Sequence, residues 1–207
     1  LKDHAILLDC KNVSHEYVPL ELGDCALVIA NCNKPHSLVT SKYNERRSET
    51  EEALKLLQKV LKVDCLADVT PGQFEEYKSI LPGKVKDRAE HVVYECDRVS
   101  KSVEAMKSGD IKRLGKLLCE SHASLRDKYE VTGKELDALA ESAQNFDGCL
   151  GSRMTGAGFG GCTISIVKKD KVDEFKRVVG EKYAAEIGYD CSFYEAEIAD
   201  GITIEKL

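Results

Sequence analysis

The sequence predicts an α+β fold in which helices pack on an antiparallel β-sheet. Three observations predict it. Apolar runs of strand length stand near both ends of the chain, at 5–8, 26–30 and 163–167; the middle keeps its apolar residues at steps of three and four; and short turn signals separate the segments without any long linker.

The elements follow in order. Residues 5–9 read as a strand, and 16–20 as its partner after a short polar connection. Residues 26–30, ALVIA, form a continuous apolar run of the kind buried on both faces. After a loop with Pro35, Thr40 or Ser41 caps a helix whose Ala53, Leu56, Leu57, Val60 and Leu61 keep helical spacing. Thr70 followed by Pro71 starts a short helix to about 81, by a cap and a proline at the first helical position.

The longest helix is predicted over 84–108. Its Val85, Ala89, Val92, Cys96, Val99, Val103 and Met106 make a seam for packing within the chain. Gly109 and Asp110 end it and cap the next helix, 111–125, and Thr132 caps a third that contains Leu136 and Leu139. A glycine-rich loop leads into a strand at 163–167; Asp170 then caps a helix that runs through Ile187 to Gly188. Strands at 191–198 and 202–204 around the turn Asp200-Gly201 close the chain, so the sheet is expected to be covered on one face.

At 207 residues the chain is long enough to bury a core without a metal or a disulfide, and 43% hydrophobic with 32% charged residues excludes disorder as the overall state. The net charge is −6 and the 30 basic residues are scattered, so no nucleic-acid partner is expected. No apolar run is long enough to span a bilayer and no signal peptide is read, which places the protein in the cytoplasm with no membrane partner. Nine cysteines, an odd number without a CxxC pair, read as free thiols of a reducing compartment rather than a zinc site or disulfide framework. The chain opens at Leu1 without an initiator Met and runs almost directly into a strand, as a segment cut from a longer protein would.

Residues 151–161 hold five glycines in eleven positions. Glycines so dense are costly to order and mark backbone that turns sharply or approaches a ligand closely. Gly156, Gly158 and Gly161 satisfy GxGxxG, but the expected order here is helix, loop, strand, and a dinucleotide site needs strand, loop, helix. No Gly-Lys-Ser/Thr follows, so a Walker loop is excluded as well. Two readings stand equally on glycine content: a nest of backbone amides lining an anionic pocket with Arg153 close by, or a tight connection.

Tyr43, in the first turn of its helix with Arg46 and Arg47 on the same side, has the chemistry to pack on a sugar ring and hydrogen-bond a hydroxyl. By residue type alone a surface tyrosine among solvated charges is the better fit. Ser121, His122 and Asp127 lie along one helix and read as a surface cluster rather than a triad. His4, His15, His36 and His91 make no pair with metal spacing.

Taken together, HAILLDC at 4–10, ALVIANCNKPHSLVTSKYNERRSETEEALKLL at 26–57, RAEHVVYECDRV at 88–99, ESHASLRDKYEVTGKELD at 120–137 and GSRMTGAGFGGCTISIV at 151–167 resemble galactokinases along nearly the whole chain, in the right order. The glycine loop resembles the third signature of the GHMP kinases, the superfamily that also includes homoserine, mevalonate and phosphomevalonate kinases. The resemblance implies the C-terminal domain type of that superfamily over 26–207, with a four-stranded antiparallel sheet, and implies that 1–25 are edge strands completing an N-terminal kinase domain outside this sequence. It implies phosphoryl transfer from ATP to the C1 hydroxyl of galactose, with Tyr43 contacting the sugar and Thr155, Gly156, Ala157, Gly158, Phe159, Gly160 and Gly161 forming an active-site glycine loop.

The sequence departs from the family by lacking a GExTDY-type sugar segment and a GLSSSA-type phosphate loop. No catalytic residue and no metal ligand is therefore assigned to this chain; ATP and Mg2+ are expected to be bound mainly by the N-terminal half, which is also the expected partner. An N-acetylgalactosamine kinase, and a non-catalytic sensor of galactose and ATP with the same fold, are the alternatives the resemblance leaves.

Overall fold

The computed structural model describes residues 1–34 and 39–201, without the side chains of 39–41. In chain order the elements are β1 (His4–Asp9), β2 (Ser14–Pro19), β3 (Cys25–Asn31), α1 (Val39–Leu57), α2 (Pro71–Tyr77), α3 (Gly83–Lys107), α4 (Ile111–Ser124), a π-helical turn (Leu125–Tyr129), α5 (Lys134–Gln144), β4 (Cys149–Thr155), β5 (Cys162–Lys168), α6 (Val172–Ile187) and β6 (Ser192–Ala196). The loop expected around Pro35, the capping side chains of Thr40 and Ser41 and the strand expected at 202–204 lie outside the described residues.

Four strands form one antiparallel sheet in the order β4-β5-β3-β6. The continuous apolar run of β3 follows from its central place, because both of its faces are covered. Val28 and Ala30 pack with Met154 and Val167 against Leu136 and Leu139 of α5 and Phe175, Val179 and Tyr183 of α6. Leu27 and Ile166 face the other way, toward Ala105 of α3 and Leu114 and Leu117 of α4. The sheet is thus covered on both faces, not on one as the sequence suggested. A third cluster joins α1, α2 and α3 through Ala53, Leu57, Phe74, Val85, Ala89 and Val93.

Strands β1 and β2 pair antiparallel in a separate two-stranded sheet with Ile6 opposite Tyr17. The Asp9 carboxylate accepts the amides of Lys11 and Asn12 and shapes the turn between them.

Helix starts divide into those the side chains decide and those they do not. Thr70 accepts the Gln73 amide ahead of Pro71, and Asp110 accepts the Arg113 amide, as expected. Thr132 caps nothing: it is buried, and α5 starts from Gly133 at φ 84° with no side-chain cap. Asp170 lies inside a 3-10 turn, Lys169–Lys171, that precedes α6, so it is no cap either, whereas Gly188 at φ 92° ends α6 as its type predicts.

The seam expected on α3 is also corrected. Val99 is 44% exposed, while Arg88, His91, Val93 and Ala105 are buried. Helix α3 packs with α1 and α2 in one cluster and contributes Ala105 to another beside α4, so its buried face drifts around the axis. A stripe with one constant period suits a single neighbour. The nine thiols are free, with Cys25 and Cys32 buried.

The strand Cys149–Thr155 went unread in the sequence because its glycine masks the alternation. Gly151 sits where β4 meets α4: an added Cβ there would lie 1.9 Å from the Gly115 carbonyl oxygen, and one at Gly115 would lie 2.2 Å from that of Leu150. Backbone meets backbone at this crossing, so no side chain can move aside. Gly151→Ala is expected to lower the unfolding free energy by about 2 kcal/mol or more, read as a drop in urea midpoint; an unchanged midpoint would show that α4 and β4 are free to separate.

Candidate functional site

Residues 156–161 connect β4 to β5, so the glycine segment is a strand-to-strand hairpin, not the helix-to-strand loop the sequence suggested. The dinucleotide fingerprint stays excluded, since no helix follows. The chain passes through the left-handed region at Gly156, Gly158, Phe159, Gly160 and Gly161. Phe159, at φ 62°, is the costly member, because a bulky side chain rarely adopts that conformation.

Two contacts hold Phe159 there. Its amide donates to the Val131 carbonyl at 2.7 Å, and Lys42 Nζ lies 5.6 Å from its ring centroid. Gly158 must be glycine for the same reason, since an added Cβ would stand 2.1 Å from Val131 O. The Gly161 carbonyl accepts from the Cys32 amide at 2.9 Å, tying the far end to β3. Among the described residues, the amides of Gly156, Ala157, Gly158, Gly160 and Gly161 meet no acceptor in the turn, which leaves a row of donors at the hairpin.

Val131 is itself held by an ionic network built on two buried arginines. Arg88 of α3 has no exposed surface; its Nε donates to Glu49 at 2.8 Å, one terminal nitrogen donates to Glu130 at 2.8 Å and the other to the Lys128 carbonyl. Arg46 of α1 donates Nε to the Tyr129 carbonyl at 2.6 Å and pairs with Glu49 at 3.0 Å. Carbonyls at the end of a helix have no partner within it, and the two guanidinium groups supply one each. Glu130, left-handed at φ 53°, ends the π turn, and Lys84 and then Arg88 hold its carboxyl down at about 2.

The sequence grouped Tyr43, Arg46 and Arg47 on one helix side, and the structure separates them. Tyr43 is 54% exposed and lies in the second turn of α1, Arg47 is exposed and pairs with Glu51 at 2.9 Å, and Arg46 is buried in the network. Tyr43 follows Lys42, the cation over the Phe159 ring, in the chain. Lys34 lines the opposite flank: its Cδ would lie 3.3 Å from a Cβ added at Gly160, and its Nζ pairs with Glu135 at 2.9 Å. Arg153 does not join the hairpin; it pairs with Glu95 of α3 at 3.3 Å, and burial pushes its guanidinium below the ordinary value.

Of the helical cluster read as a surface feature, Asp127 is exposed but Ser121 and His122 are interior. His122 is buried, with Nδ1 accepting the Met154 amide at 3.1 Å, and Ser121 donates to Glu95, so neither faces Asp127 as a triad would require. His91 is buried too, stacked on Tyr129 at 4.6 Å, and burial pushes it down to about 4. Nothing in residue type marked Arg46 and Arg88 as interior; the only signal was arginine at positions on the buried sides of two helices.

Two outcomes follow from this support. Arg88→Met, which leaves the Lys128 carbonyl without its donor and takes one partner each from Glu49 and Glu130, is expected to cost about 3–5 kcal/mol of stability, measured by urea unfolding; a loss under about 1 kcal/mol would mean solvent reaches the network. His91 is held neutral with a folded value near 4, against an unfolded value of about 6.5. Below about 6.5 the unfolded chain binds a proton that the folded one refuses, so stability falls as pH drops from about 6.5 to 4, by up to about 3 kcal/mol. His91→Phe should flatten that part of a melting-temperature profile, and an unaltered slope would assign the loss to other groups.

Residues 102–185 match the family model for the GHMP kinases C terminal domain. The chain is 54% identical over 201 residues to a galactokinase of Clostridium acetobutylicum, and 49% identical over 201 residues to one of Limosilactobacillus reuteri, covering 97% of this chain in each case. It spans about half the length of these relatives, 52% and 51% respectively. Its structure is similar to that of Lactococcus lactis galactokinase complexed with galactose, with a TM-score of 0.93 and 47% identity over 97% of this chain and 52% of the other. The likeness to Leishmania major mevalonate kinase, TM-score 0.57 at 18% identity, shows the fold alone. The chain is therefore similar in sequence and in fold, over nearly its whole length, to about half of each of these galactokinases, and residues 102–185 within it match the GHMP kinase C-terminal model.

Proposed function

We propose that this chain is the C-terminal half of a galactokinase, in which the γ-phosphoryl group of ATP passes to the C1 hydroxyl of galactose. The observation that carries the reading is the TM-score of 0.93 at 47% identity to a galactokinase solved with galactose. In the reaction the C1 hydroxyl loses its proton, its oxygen bonds to the γ-phosphorus and ADP leaves, so the protein's task is to position the reactants and to stabilise charge.

This half contributes one wall of the cleft. Tyr43 offers an exposed ring and hydroxyl and orients the sugar. The unpaired amides of Gly156, Ala157, Gly158, Gly160 and Gly161 shape the phosphate side, and Thr155, at the end of β4, delivers the chain into them. Free amide donors with Lys42 alongside suit the oxygens of ATP. Among the described residues no group of three His, Cys, Asp or Glu is placed to hold a metal. When bound, Mg2+ would neutralise the phosphate charge. The catalytic groups and the phosphate loop belong to the N-terminal half.

Residues 1–25 complete that other half. The β1–β2 sheet is separate from the main sheet and leaves Ile6 62%, Leu8 58% and Tyr17 42% exposed, an apolar face suited to cover by the rest of the protein. Free thiols, and no membrane-length apolar helix among the described residues, agree with a place in the cytoplasm.

The test is release of ADP from Mg-ATP with galactose, by the 207-residue chain and by the complete protein. The chain alone is expected to be silent and the complete protein active; turnover by the chain alone would overturn the assignment of the catalytic groups to the other half. In the complete protein, Tyr43→Phe should raise KM for galactose up to about 10-fold, and no change would remove Tyr43 from the sugar site.

A further inference from the structure

Strand β4 is an edge of the four-stranded sheet, so its outer backbone groups have no strand to pair with. Ser152 and Met154, two apart, present such groups on one side of the strand. Two side chains stand in for the missing neighbour. Gln144 of α5 donates Nε2 to the Ser152 carbonyl at 2.8 Å, and His122 of α4 accepts the Met154 amide proton on Nδ1 at 3.1 Å.

Because Nδ1 accepts, the ring proton of His122 is on Nε2. That nitrogen is buried and lies 3.3 Å from Asp137 Oδ1 of α5, an orientation that favours the N–H on this side without closing a hydrogen bond. The proposed reaction makes no use of this imidazole, which is 1% exposed. An apolar side chain would fill the same space, but it would leave the Met154 N–H buried without an acceptor.

We propose that His122 is a positioning residue for the glycine hairpin: as the Nε2–H tautomer selected by Asp137, it ties Met154 to α4 one residue before Thr155 and so sets where 156–161 stand. The hairpin then has an anchor at its base, Met154 to His122, and one at its tip, Phe159 to Val131. The consequence for catalysis rests on the reading that the hairpin lines the phosphate side.

The isosteres separate the two ring nitrogens. Asn places its amide oxygen where Nδ1 stands, whereas Gln reaches toward the position of Nε2. In the 207-residue chain, His122→Gln is expected to speed amide exchange of 155–161 about 10-fold or more while Val28 and Val167 keep their protection, and His122→Asn should restore slow exchange. Nitrogen NMR of the same chain should report the Nε2–H tautomer; the Nδ1–H tautomer would overturn the proposal. In the complete protein, His122→Gln should lower kcat with KM for galactose changed less than about 2-fold, and His122→Asn should recover most of it. Equal effects of Asn and Gln, or exchange rising throughout the sheet, would overturn the positioning role. Absence of galactose-dependent turnover in the unmodified complete protein would overturn the functional reading instead, and the exchange result would still decide the role of His122.

Discussion

Arg88, a guanidinium with no exposed surface, lies between Glu49 of α1 and Glu130 beyond the π turn, and the geometry around the hairpin depends on that pairing. Charges removed from water are tolerated only when every donor finds an acceptor. Here the acceptors are two carboxylates and a carbonyl at a helix end, and Arg46 repeats the pattern on the next carbonyl. Helices α1 and α3 and the end of the π turn are thereby locked at one point. Residue Val131 follows directly, and its carbonyl receives the hairpin.

The same constraint explains how an unfavourable backbone persists. Phe159 occupies the left-handed region and Gly158 passes within contact of Val131 O, and neither arrangement is what the local sequence prefers. Rigid surroundings over-determine them. A loop held in this way presents its amides without having to order them when a ligand arrives. Strain in the hairpin and ion pairs beneath it are two parts of one device.

The main sheet is covered on both faces by its own helices, whereas the β1–β2 sheet keeps Ile6, Leu8 and Tyr17 in the open. The contrast agrees with a chain that spans about half the length of the galactokinases it matches. The main sheet and its helices carry three apolar clusters among the described residues. The β1–β2 sheet presents a face that a further layer would bury.

Periodicity and turn chemistry made much of the fold legible: the apolar run of β3, the helical spacing of α1 and α3, and the starts at Thr70 and Asp110 were all readable as local preferences. The glycine segment and Tyr43 stood out in sequence for the same reason, since dense glycine and a tyrosine among donors are local signals. What stayed hidden was set by distance. Whether Arg46, Arg88 and His122 are solvated or interior depends on carboxylates, carbonyls and amides that lie 3 to 84 positions away. Strand β4 was masked because Gly151 answers to Gly115 on another element and not to its own neighbours. Local preferences set most of the helices and strands, because steric and capping effects act within a few residues, whereas Gly151 and Gly158 answer to backbone far along the chain. Only the tertiary structure decided which charges are buried and which face of each element finds a partner, because burial is a property of surfaces brought together from distant parts of the chain.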